Sequence, residues 1–495
     1  MDFASIIERH AARTPAHVAL HFSGEDISYA QLWGRIRLAT GVLQAAGVQR
    51  GDRVAWLGLG DPALLVLLFA LARLGAIFLP LNYRLAAPEH EAIVEHAGVR
   101  LLVADTVHAE AAAALADTTG CQLLTASELG ASAHEGAATA LAGGQDDPVL
   151  LVYTSGTSGQ PKGVLHTQSA LAWNCLIAAD ANGLTPDDHV LSVLPMFHVG
   201  GLCIQTLPAL YAGARVSLHA RFDAGAWLSD VVQRRPTLSL LVPATLRAVL
   251  DHPGFAGADL SSLKLLATGS STIPVSMIAA FHARGLPVGQ VYGATETGPV
   301  SIYLRREDAM ARAGYAGKAG LHVEVQLVDD RGQAVRAGEV GELWLRAPNM
   351  FCGYWKDADN PAFADGWFHT GDLARCDAQG FYEIVGRSRD MIISGGENIY
   401  PAEIENLLAD CPLVAEAAVV GAPDARWGEV AVAVVVKAPG ATLDAAAVMQ
   451  LFEGRLARFK HPKRIVFCDA LPKTALGKVQ KTGLLDRLNT PAGAA

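Results

Sequence analysis

Short, wholly apolar runs alternate with longer amphipathic ones through the first three quarters of the chain. The runs at 54–59, 76–79, 101–103, 149–153, 190–194 and 238–242 read as strands, and the stretches between them carry apolar residues at helical spacing. Such alternation predicts an α/β architecture. The run PALLVLLFALA at 62–72 is closed by Arg73 and falls short of the roughly 18 to 20 apolar residues that span a bilayer, so it predicts a buried helix. An Ala-rich stretch at 104–144, poor in aromatics, reads as a helix and a solvent-facing connection. From about Ala319 the texture changes to short strands punctuated by Asp330, Gly332 and Gly338, which predict an antiparallel section. Beyond Gly386, helix-like AEIENLLAD is followed by strand-like EAAVVGA and VAVAVVVK, the pattern of a small α+β lobe.

Composition supports several cores: the 495 residues are 51% hydrophobic and 18% charged, too apolar for disorder. A net charge of -10 speaks against bulk nucleic-acid binding. The exception is 455–481, where eight Lys or Arg face one acid, Asp469, which suggests an anionic visitor or a solvated basic face. Seven scattered cysteines without a C-x-x-C pair predict reduced thiols and a cytoplasmic protein. The first residues, MDFASIIERHAARTP, lack the basic and apolar segments of a secretory signal; with no membrane-spanning run, only peripheral membrane contact stays open. His90-Glu91 followed by His96 has the wrong spacing for two metal ligands on one helical face.

The densest chemistry follows the strand VLLVY: Thr154, Ser155, Gly156, Thr157, Ser158, Gly159, then Gln160, Pro161 and Lys162. Hydroxyls, glycine backbone N–H groups and one lysine in a short loop suit the phosphates of a nucleotide. It is not a Walker A loop, because Lys162 lies between Pro161 and Gly163, and Pro161 opposes a direct run into a helix. The alternative Gly58-Leu59-Gly60 continues as Asp61-Pro62-Ala63, a weak dinucleotide signal.

With four later segments, YGATETG at 292–298, WFHTGD at 367–372, GRSRDMIISGGENIYPAEIE at 386–405 and PKTALGK at 472–478, this loop resembles the adenylate-forming superfamily of acyl-CoA synthetases, peptide-synthetase adenylation domains and luciferases. Order and separation match over essentially the whole chain, most closely to bacterial fatty-acyl-CoA and aryl-CoA ligases. The resemblance implies a large N-terminal domain of mixed α/β subdomains with an added β section over 1–389, and a small mobile α+β domain over 390–495. It implies ATP, Mg2+ and coenzyme A as reactants or cofactors and a carboxylic acid as substrate.

Roles follow by position. The resemblance implies that Thr295 and the 154–159 loop with Lys162 meet the phosphates, and that Glu296 holds Mg2+. Asp372 and Arg387 would meet the ribose; Tyr292 and Gly269, Ser270 and Ser271 would flank adenine and the acyl carboxylate. Taken alone, Asp372 is a turn acid and Tyr292 a core aromatic. Lys478 would reach the carboxylate and α-phosphate during adenylation. Asp390 matches a hinge about which the small domain rotates, turning Gly395 and Gly396 toward the site for the thiol step; a turn cap is its plainer reading. Trp427, Phe459 and Lys463 match contacts to the CoA nucleotide.

In LPMFHVGGL at 194–202, His198 stands where amino-acid-activating relatives carry an aspartate, and no acid is near to meet an ammonium group. By resemblance it lies between acyl pocket and thiol channel. Trp173, Phe197, Val199, Leu202, Ala267 and Thr268 would form a mostly apolar pocket, which favours a hydrophobic monocarboxylic acid. The expectation leans to fatty acids, with aromatic acids of the ferulate, coumarate or benzoate type, or loading of a carrier protein, as alternatives.

Overall fold

The computed structural model describes residues 2–130, 143–155, 161–269, 273–357, 362–394, 397–424, 426–473, 479–482 and 484. Among these residues four sheets organise the chain. A nine-stranded sheet runs, in spatial order, through Lys318–Ala319, Ile302–Tyr303, Val288–Tyr292, Leu265–Gly269, Leu238–Leu241, His189–Ser192, Arg215–Leu218, Val18–Phe22 and Glu25–Ser28. Its six inner strands are parallel. A seven-stranded sheet places Pro161–Thr167 and Pro148–Ser155 beside Ile77–Pro80, Arg53–Leu57, Val99–Ala104 and Gln122–Thr125, with Gly353–Tyr354 on the outer edge. The α/β expectation is met. The Ala-rich stretch contains more than expected: besides the helix Ala109–Thr119 it supplies the edge strand Gln122–Thr125, which pairs parallel to Val99–Ala104.

The helix Pro62–Leu74 shows how local sequence and burial agree. Asp61 caps it by accepting from Ala63 N at 2.7 Å, Pro62 fits the first turn, and Gly75 ends it in the left-handed conformation at φ 68°. Nearly every side chain in it is buried, in one cluster with both large sheets. At the Gly58–Gly60 turn the Asp105 carboxylate accepts from Leu59 N at 2.7 Å, so an anion of the protein already fills that position.

A third, antiparallel sheet joins Glu324–Val328, Val340–Arg346, Trp367–Cys376, Phe363–Ala364 and Tyr382–Arg387, as the strand-and-turn texture predicts. One turn of 3-10 helix, Ser388–Asp390, leads from it into the fourth sheet of Ile392–Ser394, Glu397–Ile399, Val414–Asp424, Gly428–Lys437 and Arg464–Phe467. That sheet and the helix Pro401–Ala409 enclose a core of their own around Ile404, Val419, Val435 and Phe452. No helix among the described residues is long and apolar enough to cross a membrane.

Candidate active site

Pro148–Ser155 and Pro161–Thr167 form an antiparallel hairpin in which Thr154 faces Lys162. Pro161 opens the return strand, a first-residue position where a missing N–H is tolerated. Gly156, Thr157, Ser158 and Gly159 lie outside the described residues, as does the side chain of Ser155. Lys162 Nζ sits 5.2 Å from the ring centroid of Tyr354.

Thr295 and Glu296 occupy a single 3-10 turn, Thr295–Thr297, that follows the strand Val288–Tyr292. Glu296 Oε1 accepts from the Tyr354 hydroxyl at 2.8 Å, and its backbone oxygen accepts from Phe351 N at 2.8 Å. His166 Nε2 donates to the Thr295 carbonyl at 2.8 Å, and Asn349 Nδ2 to that of Thr297 at 2.9 Å. The turn is thus held by the hairpin on one side and by 349–354 on the other. Gly293 is required beside it: a Cβ there would lie 1.8 Å from Pro299 O.

Tyr292 ends its strand with the hydroxyl donating to Asp372 Oδ2 at 2.7 Å, while Arg387 Nε reaches Asp372 Oδ1 at 2.9 Å. Asp372 and Arg387 are cross-strand partners in the antiparallel sheet, so Asp372 is a strand residue, 8% exposed, rather than a turn acid. Burial first, then the Asp372 charge, push the Tyr292 hydroxyl far above its ordinary range, which keeps it a donor. Gly269 closes the neighbouring strand, where a Cβ would stand 2.4 Å from Val291 O. Ser270 and Ser271 lie outside the described residues.

The six residues expected at the acyl pocket fall on several walls. The Phe197 ring centroid lies 4.6 Å from that of His198 and 5.2 Å, edge-on, from that of Tyr83. Trp173 meets His322 edge-on at 5.3 Å. Val199 and Leu202 pack into the large core with Met196 and Cys203, whereas Ala267 packs with Ile204, Leu240 and Val291. Thr268 is fully buried on the same strand as Ala267. After His198 the helix widens into a π-type turn over Leu202–Thr206, a distortion frequent at functional sites.

On the small lobe Trp427 and Phe459 are each 40% exposed, and Arg426 and Lys460 lie over their rings at 4.7 and 5.8 Å. Lys463 is exposed, its backbone N donating to Ala431 O at 2.8 Å. Asp390 ends the connecting 3-10 turn, 3.7 Å from Arg389 Nε. Gly395, Gly396 and Lys478 lie outside the described residues. Among the described residues, Lys473 pairs with Val479, and Lys473 and Lys481 bind Glu416 and Glu405 at 2.7 and 2.9 Å.

Residues 7–355 match the AMP-binding enzyme family, and 403–478 match the AMP-binding enzyme C-terminal domain. The chain belongs to the AMP-binding enzyme family. It is 46% identical to an indoleacetate–CoA ligase of Aromatoleum aromaticum over 97% of both chains. A feruloyl-CoA synthase of Amycolatopsis sp is 43% identical over 96% of both, and the long-chain-fatty-acid–CoA ligase FadD13 of Mycobacterium tuberculosis 35% over 93% of both. The crystal structure of ATP-bound MatB from Rhodopseudomonas palustris superposes with a TM-score of 0.89 at 33% identity, covering 98% of this chain and 99% of that one.

This AMP-binding enzyme is therefore an AMP-forming acid–CoA ligase, which uses ATP, CoA and Mg2+. Among its described residues no group of three or more His, Cys, Asp or Glu could hold a metal ion. Mg2+ is commonly bound by one or two carboxylates with substrate phosphates and water, and the Glu296 carboxylate is of the kind that would suit it. Sequence reasoning missed Tyr83, His166, Asn349 and Tyr354. The partner of each in the site lies far along the chain, and none carries a local motif.

Proposed function

We propose that the enzyme activates an aryl monocarboxylic acid, of the arylacetic or hydroxycinnamic kind, and transfers the acyl group to CoA. The supporting observation is the chemistry around His198: the Phe197 and Tyr83 rings and the buried Val199 that follows it, with Arg84 lying over the Tyr83 and Phe197 rings at 5.5 and 5.8 Å. An ammonium group would lack a counter-charge in such surroundings. Identity points the same way, since the two relatives named for aryl acids are more similar to this chain than the one named for long-chain fatty acids. The fatty-acid expectation becomes the second reading.

In the first half-reaction a carboxylate oxygen attacks the α-phosphate of ATP, forming the acyl-adenylate and releasing pyrophosphate. Asp372 and Arg387 orient the ribose, Tyr292 and Gly269 to Ser271 bound the adenine and acyl carboxylate, and Thr295, Lys162 and the 154–159 loop meet the phosphates. Glu296 would hold Mg2+, which would offset phosphate charge. Lys478, brought by the small domain of 390–495, stabilises charge at the carboxylate and α-phosphate. The domain then turns about Asp390, away from the large domain of 1–389, and presents Gly395 and Gly396 to the pantetheine while Trp427, Phe459 and Lys463 hold the CoA nucleotide. The CoA sulfur attacks the acyl carbonyl, its proton leaves, and AMP departs.

Pyrophosphate release across indole-3-acetate, ferulate, benzoate, decanoate and palmitate, with and without CoA, tests this. The reading expects the highest kcat/KM with an aryl acid and formation of its CoA thioester. A preference for decanoate or palmitate installs the fatty-acid reading, and acyl transfer without CoA contradicts both.

A further inference from the structure

Two side chains without a role in the scheme above grip the Thr295–Thr297 turn, and both stand on the sheet that carries Lys162. His166 lies four residues after Lys162 on the strand Pro161–Thr167. It is 1% exposed and donates through Nε2 to the Thr295 carbonyl at 2.8 Å. Because a carbonyl only accepts, Nε2 carries the proton; burial pushes the ring's pKa down to about 4, so it is neutral. Its Nδ1 has no partner among the described residues. An unsatisfied buried nitrogen costs stability, so packing alone does not call for histidine here.

Tyr354 lies on the short strand Gly353–Tyr354, which pairs with Leu165 and Val164 on either side of the same register. Its hydroxyl donates to Glu296 Oε1 at 2.8 Å and its ring lies 5.2 Å from Lys162 Nζ. The connections close on themselves: from His166 to Thr295, along the chain to Glu296, across to Tyr354, and by strand pairing back to Val164, two residues from both His166 and Lys162. One grip holds the backbone of the turn and the other holds the carboxylate.

We propose that His166 and Tyr354 are positioning residues that fix the Glu296 carboxylate in register with Lys162, so that a divalent cation and the nucleotide phosphates it bridges are met together. The proposal rests on the reading of Glu296 as the cation's carboxylate. Neither residue reaches the cation: a neutral imidazole spends its proton on a backbone carbonyl, and a phenol spends its own on Oε1. Their contribution is to prevent the carboxylate from swinging, which matters only when a cation must be shared between protein and substrate.

The test is equilibrium titration of ATP, without acid substrate, in Mg2+ and in EDTA, for wild type, Tyr354→Phe, His166→Leu, His166→Gln and Glu296→Gln, with thermal unfolding of each. Tyr354→Phe and His166→Leu should bind metal-free ATP as wild type does but lose about ten-fold of the Mg2+-dependent gain, the size of one hydrogen bond. His166→Gln, whose amide can donate to the same carbonyl, should restore most of it. If both variants keep the full gain while Glu296→Gln loses it, the positioning proposal fails and the reading of Glu296 stands. If Glu296→Gln also keeps it, that reading falls and the proposal with it. Equal weakening in Mg2+ and EDTA would mark a merely structural role and overturn the proposal. Should His166→Leu not fold, Tyr354→Phe decides, since it removes one oxygen and leaves the ring in place.

Discussion

The Tyr292 hydroxyl donates to Asp372 Oδ2 at 2.7 Å, tying the end of an inner strand of the nine-stranded sheet to the antiparallel sheet. Arg387 takes the other carboxylate oxygen, so one buried acid sets the spacing of two sheets and of three groups expected at the nucleotide. Asp372→Ala leaves the Tyr292 hydroxyl buried without its acceptor. The expected cost is about 1 to 3 kcal/mol in urea unfolding, with at least a ten-fold rise in KM for ATP in pyrophosphate release. Unchanged ATP dependence would separate Asp372 from nucleotide binding.

Gly293→Ala probes the turn that carries Glu296. A Cβ would lie 1.8 Å from the backbone oxygen of Pro299, which cannot yield as a flexible side chain would. The variant should unfold several degrees lower and form acyl-adenylate at least a hundred-fold more slowly. Wild-type rates would show that the turn tolerates displacement.

Acid lability has a definite source. Burial, then the Arg215 charge, push the His189 pKa down to about 4 from its ordinary 6.5, and its Nε2 is paired with Ser217 Oγ at 2.7 Å. Between those values the unfolded chain binds a proton that the folded chain refuses, so stability is full above pH 6.5 and falls as pH drops toward 4, by up to roughly 3 kcal/mol. Urea unfolding at pH 7, 6 and 5 should show this decline, and His189→Gln should make it shallower without removing it, since the buried His166 ring is pushed down to about 4 in the same way. An equal slope in the variant would place the effect elsewhere.

How much of this was legible depended on the distance between cause and effect along the chain. The helix Pro62–Leu74 announces itself through Asp61, Pro62 and Gly75, and Pro161 opposes a direct run from the loop into a helix, where the structure has a strand. Four of the five motifs point to Thr154, Tyr292, Glu296, Asp372 and Arg387, because each motif holds its own chemistry. The edge strand Gln122–Thr125 was hidden in an Ala-rich stretch, since its pairing with Val99–Ala104 is a tertiary contact. His166 was invisible for the same reason: its partner Thr295 lies 129 positions away, and nothing next to it in sequence speaks of that carbonyl. The acyl pocket residues were named by position, yet Leu202 and Ala267 belong to different packing clusters, which no spacing reveals.

Asp390 ends the single turn between the last strand of one sheet and the first of the next, with Met391 N donating to Arg387 O at 3.1 Å. If the small domain rotates there, Asp390→Pro, which fixes φ and restricts the preceding residue, should slow thioester formation more than ten-fold and adenylation far less. Separate single-turnover assays of the two half-reactions measure this. Equal effects on both would move the hinge.

The most direct measurement is the Lys478→Ala variant assayed in each half-reaction separately, adenylate from ATP and acid, and thioester from preformed acyl-adenylate and CoA. Two alternating arrangements around one intermediate predict that adenylate formation falls by about 10² to 10³ while thioester formation keeps its wild-type rate. Loss of both to the same degree would contradict the account.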